Sequence, residues 1–331
     1  MKNSAPATPL EKILRYGAHA WLFALIFSTF MAEALALALI GAWLGLRRRQ
    51  RTPLDFFILL FLGIRLLTIV TAIAPATSMH ALRKIPFLLV YFPVAHLAQR
   101  LGAGEIHKLL RTLIIAGLAA SCVGLLRTLL TPVWRLASTT SGATTLATFL
   151  AVTFSLALTL ILRNELQPAR RWLSGCAMML LALAFTRCRA PWLATLFVSG
   201  FMIKPVSRGV LTLGAGAIVI LLLVPGFGMR HAEVLHWPPD FGDRPIIWKA
   251  GWEAATQYPL LGYGPESFAL VFQSRQELKD QRAGAWHNFA LQLLVESGAL
   301  GLVVFLALVL QAFRLTQNGF QTKLFLFDKK P

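Results

Sequence analysis

The sequence predicts an all-α protein, a polytopic bundle of about ten membrane-spanning helices with one large extramembrane loop, and three observations predict it. Hydrophobic residues make up 56% of the 331-residue chain and charged residues only 14%, and mean hydropathy is +0.65, a balance foreign to soluble globular domains. The apolar residues gather in long uninterrupted runs. Lys and Arg gather in short stretches between those runs, as in polytopic membrane proteins. A hydrocarbon core about 30 Å thick is crossed by a helix of roughly 20 apolar residues, the form that satisfies every backbone polar group internally.

The runs lie at 13–30, 32–46, 54–74, 85–98, 107–130, 143–162, 172–186, 190–203, 209–225 and 287–313. Several are short, which calls for tilting, local thinning or incomplete crossing. The opening MKNSAPATPLEK lacks the apolar core and cleavage site of a signal peptide, so the N-terminus is expected to stay in the cytoplasm. Tyr16 to Leu46 reads either as one overlong helix or as a hairpin broken near Met31 to Glu33. Lys2, Lys12 and Arg15 precede the segment, and Arg47, Arg48, Arg49 and Arg51 follow it. Both ends therefore belong inside, which selects the hairpin. Alternation then puts 99–108, 163–171, 204–208 and the tail from Arg314 inside. It puts 75–84, 131–142, 186–189 and 226–286 outside. The predicted organisation is helices over 1–225, the outer loop over 226–286, a further spanning helix over 287–313 and a tail over 314–331.

A net charge of +18 suits nucleic acid in a soluble protein, but no groove-reading or base-stacking motif accompanies it, and nucleic acid is excluded as a partner. Cys122, Cys176 and Cys188 have no metal-ligand spacing, so no metal site is expected; Cys122 and Cys176 lie in apolar runs and read as small buried hydrophobes, and Cys188 sits in a tight loop between two arginines with no disulfide expected. The placement of the cations is more informative. Arg83, Lys84, Arg127, Arg135, Arg187 and Arg189 fall at or near the outer face, where few are expected. A ring of guanidinium groups suits a diphosphate, to which each offers bidentate donors. Snorkelling to lipid headgroups accounts for the same placement at some of them. Arg65, in mid-span, requires a partner inside the bundle, and Glu33 is the expected one.

Within the outer loop, DRPIIWKAGWEAATQ from Asp243 has helical spacing of Ile247, Trp248, Trp252 and Ala255 and is stopped by Pro259. It reads as an amphipathic helix whose aromatic residues serve either packing or contact with a lipid-borne substrate. LLGYGPESF follows as a turn into a second short helix. His287 opens the last strong span behind Trp286, an expected interfacial anchor. Asn288, Gln292 and Glu296 recur every four residues below it as a polar stripe facing the protein interior, and Gly298 and Gly301 allow close helix packing. A lone histidine at such a place serves structure as readily as catalysis; the arginine excess nearby argues for a general base.

These residues resemble the O-antigen ligase family. His287-Asn288 followed by Gly298-Ala299-Leu300-Gly301 is similar to its HN…GxxG signature, and Arg189-Ala190-Pro191-Trp192-Leu193 to its Arg-x-x-x-Leu motif. Arg244 to Trp248, followed by Pro259-Leu260-Leu261-Gly262-Tyr263-Gly264, is similar to its R…W…PLxGxG segment. The resemblance runs from about Leu54 to Phe313. The family also holds O-antigen polymerases and bacterial protein O-oligosaccharyltransferases. Thr186 to Arg189 departs from the usual Ser-Arg-Gly pattern, with Arg187 extra. Relatives continue with further helices where Gln317 to Pro331 is polar, so the resemblance implies a truncated or divergent C-terminus.

The resemblance implies a glycosyltransferase of the bacterial inner membrane with its active site facing the periplasm. It would move a glycan from undecaprenyl diphosphate to the lipid A core, with inversion and without metal, nucleotide or other cofactor. His287, Arg189 and Arg244 would be catalytic. Arg83, Lys84, Arg135, Arg187, Asn288 and Trp248 would bind substrate. A non-catalytic transporter of lipid-linked glycans would also need cations, but distributed through the membrane depth and not at one face beside one loop.

Overall fold

A computed structural model of the chain describes residues 8–46, 51–100, 103–131, 135–137, 139, 142–202, 244–274 and 285–327. The expected span 209–225 and the outer loop up to Asp243 lie outside the described residues, as do 275–284. Every regular element among the described residues is helical. Among the described residues, four helices are long and apolar enough to cross a membrane, at Pro75–Arg100, Gly104–Leu130, Ala143–Leu162 and Phe289–Gln317, and Thr29–Leu44 is a shorter apolar helix. The chain forms two compact units, one of residues 1–49 and 93–239, the other of 50–92 and 240–331.

The first unit begins with α1 (Pro9–Phe27), opened by a capping box in which the Thr8 hydroxyl accepts from the Glu11 amide and the Glu11 carboxylate accepts from the Thr8 amide. α2 (Thr29–Leu44) follows after a single residue. Ser28 is extended (φ −155°, ψ 111°); its amide closes α1 on the Ala24 carbonyl, and its hydroxyl accepts from the Met31 amide to open α2. Gly17 faces Leu39, and Gly45 faces Leu10, so the two helices run antiparallel. The hairpin expected from the charges is present, with its break at Ser28 and not at Met31 to Glu33. A serine can cap two helices at once, a local chemistry that the positive-inside rule does not sense.

α7 (Ala103–Leu130), α8 (Ala143–Leu162), α9 (Ala169–Thr186) and α10 (Arg189–Met202) build the core of this unit around Ile114, Leu146, Leu150, Ala157, Met179 and Leu183. Small residues set the closest approach: a Cβ on Gly117 would stand 2.5 Å from Thr153 Oγ1. Hydroxyls inside the helices donate to their own backbone, as from Thr159 to Ser155 and from Thr195 to Pro191, which satisfies them without water.

In the second unit, α3 (Asp55–Val70) leads to a one-turn helix α4 (Pro75–Ser78), a 3-10 turn over Met79–Lys84 and α5 (Ile85–Leu89). The chain crosses to the first unit within α6 (Tyr91–Arg100). The chain returns to this unit with α11 (Arg244–Gln257), α12 (Phe268–Gln273) and α13 (Phe289–Phe327). α13 is broken at Gly298 (φ 63°, ψ −170°). The Phe289 and Phe305 rings lie 5.1 Å apart, although a straight helix would separate those positions by about 24 Å. α13 is therefore two helical halves meeting at a sharp bend.

Candidate active site

The setting of His287 is built by α11. Its inward face of Ile247, Ala250, Ala254 and Ala255 packs with Val271, Leu291 and Val295. A side chain at Gly251 would collide with Trp286 and Leu291 at 2.8 Å. That gap admits Trp286, which is 1% exposed and stands edge-on to Phe268 at 4.9 Å. Trp286 is thus a core residue and not the expected interfacial anchor, because the glycine opposite leaves a slot of indole size. Trp248 is half-buried and donates its indole N–H to the Trp286 carbonyl at 3.1 Å. Trp252, expected on the same aromatic face, is 62% exposed.

On the other side, Asn288 is the N-cap of α13. Its Oδ1 accepts from the Leu291 amide at 3.2 Å and its carbonyl from the Gln292 amide at 2.9 Å. His287 lies between these two anchors with φ 53°, a left-handed conformation that costs a non-glycine residue about 1 kcal/mol or more. The anchors impose it, and the imidazole is held exposed. The family resemblance implies that Asn288 binds substrate; its side-chain oxygen here caps the helix. Trp248→Phe removes the bond to Trp286 and is expected to cost about 1 kcal/mol of stability, read as a lower melting temperature in detergent.

The segment 259–264 docks on the break in α13. Tyr263 N donates to Val295 O at 2.8 Å, and Ala299 N to Pro259 O at 2.7 Å. Backbone groups released by the bend are thereby satisfied, which membrane depth requires. The approach is backbone against backbone: a Cβ on Gly298 would stand 2.1 Å from Leu260 O, and one on Gly262 (φ 71°) 2.4 Å from Val295 O. The same segment reaches α3 and α4, since Ile73 N donates to Tyr263 O at 3.1 Å and Ser78 Oγ to Pro265 O at 2.7 Å. Lys84 consequently meets Glu266 at 2.5 Å, with Arg83 exposed beside it.

Below lies a cavity of about 320 Å³, whose walls include Phe289 and Phe305 and whose polar groups are Arg65, Lys84, Gln292 and Glu296. Arg65 donates to Ser297 Oγ at 2.6 Å and pairs with Glu296 at 3.4 Å. Glu296, not Glu33, is the partner that mid-span arginine requires. Gln292 donates to the other Glu296 oxygen at 2.9 Å, so the lower part of the predicted polar stripe does face inward.

The sequence-predicted cations fall in both units. Arg83, Lys84 and Arg244, with His287, Asn288 and Trp248, belong to the second; Arg244 is exposed at the start of α11. Arg135, Arg187 and Arg189 gather at the α9–α10 turn of the first. Arg135 donates from Nε to Thr186 O and from Nη2 to Cys188 Sγ, both at 3.1 Å, and so braces that turn. Arg187 occupies it with φ 52°, and Arg189 opens α10, exposed. Trp192, in the motif after Arg189, donates to Leu183 O at 3.1 Å and ties α10 back to α9. Sequence reasoning misses the pairing of Glu266 with Lys84 and the Arg65 network as parts of the site; the odd charge in mid-span is the available signal for the second.

The fold and site define a polytopic helical membrane protein with an exposed histidine held at a helix start and cations near helix ends. The O-antigen ligase family model matches residues 127–306, more than half the chain, and the protein belongs to that family, a group of membrane glycosyltransferase-like enzymes of ligase or polymerase type. The matched region contains His287, Asn288, Arg135, Arg187, Arg189, Arg244 and Trp248, whereas Arg83 and Lys84 precede it. Comparison with curated proteins finds no match.

Proposed function

We propose that this protein transfers a glycan from undecaprenyl diphosphate to the lipid A core at the periplasmic face of the inner membrane. The observation that carries the reading is His287, fixed in a left-handed conformation at the mouth of α13 with its ring exposed. In the proposed reaction His287 takes the proton from an acceptor hydroxyl as its oxygen forms a bond to the anomeric carbon. The bond from that carbon to the diphosphate breaks, inverting the centre, and the diphosphate leaves with the electron pair. Arg244 is assigned to the charge developing on the leaving group, with Arg83 and Lys84 as further cations of the second unit. Arg189 and Arg187, of the first unit, are assigned to substrate phosphate on the sequence motif that carries Arg189. Cationic donors placed where negative charge develops lower such a barrier. Arg135 and Trp248 are assigned chiefly to holding the turns that carry these groups.

Complementation of a cell lacking its own ligase tests the reaction: glycan-capped lipopolysaccharide is expected, and bare lipopolysaccharide beside lengthened lipid-linked glycan would assign a polymerase instead. Arg189→Lys keeps charge but loses the planar fork, and capping is expected to fall about 10- to 100-fold at normal expression. Unchanged capping would make Arg189 a headgroup anchor. The proposed topology has about ten spans and an outward-facing 226–286 loop. A cysteine replacing Ala285 is therefore expected to react with a membrane-impermeant thiol reagent in intact spheroplasts, and one replacing Gln167 is not; the reverse pattern would turn the site to the cytoplasm.

A further inference from the structure

We propose that Arg65, Ser297 and Glu296 form a positioning device for His287, an inference that rests on the reading of His287 as the base. The bend at Gly298 deprives the first half of α13 of support from continuous helix below it. That half carries the Asn288 cap and His287 at its upper end. Its lower end is held from the side by Arg65 of α3, through Ser297 at 2.6 Å and Glu296 at 3.4 Å. The hold is relayed one turn upward, since Glu296 accepts from the Gln292 side chain at 2.9 Å, and the Gln292 backbone N–H donates to the Asn288 carbonyl at 2.9 Å as the first helical bond of that turn. A chain of polar contacts thus runs from α3 to the residue beside His287.

The chemistry matches a device for register. Arg65 and Glu296 side chains are only 19% and 7% exposed, inside helices that apolar residues would fill at lower desolvation cost. A charged pair accepts one partner geometry, whereas apolar packing tolerates slips along the helix. Both residues line the 320 Å³ cavity and pair with each other there, so the hold they supply is directional. The loop at 259–264 fixes the bend itself; Arg65 fixes the orientation of the half-helix above it.

The test compares purified wild type with Arg65→Gln/Glu296→Gln, Ser297→Ala and Arg65→Lys. The double variant leaves no lone charge in the membrane, and Ser297→Ala removes the shortest contact without burying a charge, so one readable variant is available even if the other fails to fold. With lipid-linked donor, kcat is expected to fall at least about 10-fold in the double variant and about 5-fold in Ser297→Ala, with donor KM unchanged. Arg65→Lys, which keeps the charge opposite Glu296, is expected to recover most of kcat. Amide exchange over 285–296 is expected to rise in the double variant while that over 300–313 stays constant. Wild-type kcat in a folded double variant or in folded Ser297→Ala would overturn the inference and leave the proposed function standing. If wild type transfers no glycan, the proposed function fails, and unchanged exchange over 285–296 would then overturn the positioning role separately.

Discussion

Gly298→Val is expected to abolish folding of the second unit, with the protein recovered as aggregate or degraded. The added Cβ would stand 2.1 Å from the Leu260 oxygen, 2.2 Å from the Leu260 carbonyl carbon and 2.5 Å from the Leu261 nitrogen. These are backbone atoms, which no rotamer change moves aside. The residue also holds φ 63° and ψ −170°, a region open essentially to glycine alone. Strain and overpacking together cost more than about 3 kcal/mol, a large part of a typical stability of about 5–15 kcal/mol. Gly63, in α3 of the same unit, is the control. A Cβ there meets nothing within 4 Å, so Gly63→Ala is expected to be neutral or to stabilise by up to about 1 kcal/mol. The comparison is read as the monodisperse fraction after detergent extraction. A monodisperse, protease-resistant Gly298→Val protein would show that 259–264 does not dock on the bend.

Hydropathy locates the helices because lipid leaves the backbone no alternative. The run 143–162 coincides with α8, and Arg189–Met202 with the run expected at 190–203. Breaks are harder to read. At Ser28 the cue is one hydroxyl, and at Gly298 it is a glycine whose role depends on residues some forty positions earlier. The PLxGxG and GxxG segments are legible as motifs, but their meaning, a loop backbone pressed into a broken helix, needs three dimensions. For the same reason Trp286 reads as an interfacial residue, since the slot that buries it is made by Gly251 on another helix. Arg65 announces itself as anomalous. Its partner lies more than two hundred residues away, and only packing of α3 on α13 selects Glu296.

The second large effect concerns His287. His287→Ala is expected to leave the protein inserted and folded, because the ring is exposed and the anchors on either side belong to the Trp286 backbone and to Asn288. Relief of the left-handed strain is small either way. Glycan transfer is expected to fall at least about 100-fold, the usual loss when a general base is removed. Donor binding should persist, since it is assigned to the cations. Glu266, a carboxylate of the same unit, is paired with Lys84.

Glutamine at position 287 separates proton transfer from mere orientation, because the amide donates and accepts hydrogen bonds but takes up no proton near neutral pH. The decisive measurement is initial-rate glycan transfer by purified His287→Gln protein in liposomes holding undecaprenyl-diphosphate-linked glycan and lipid A core acceptor, with donor binding measured on the same preparation. Binding equal to wild type with transfer reduced at least about 100-fold is the predicted result. Transfer near the wild-type rate would contradict general-base catalysis by His287.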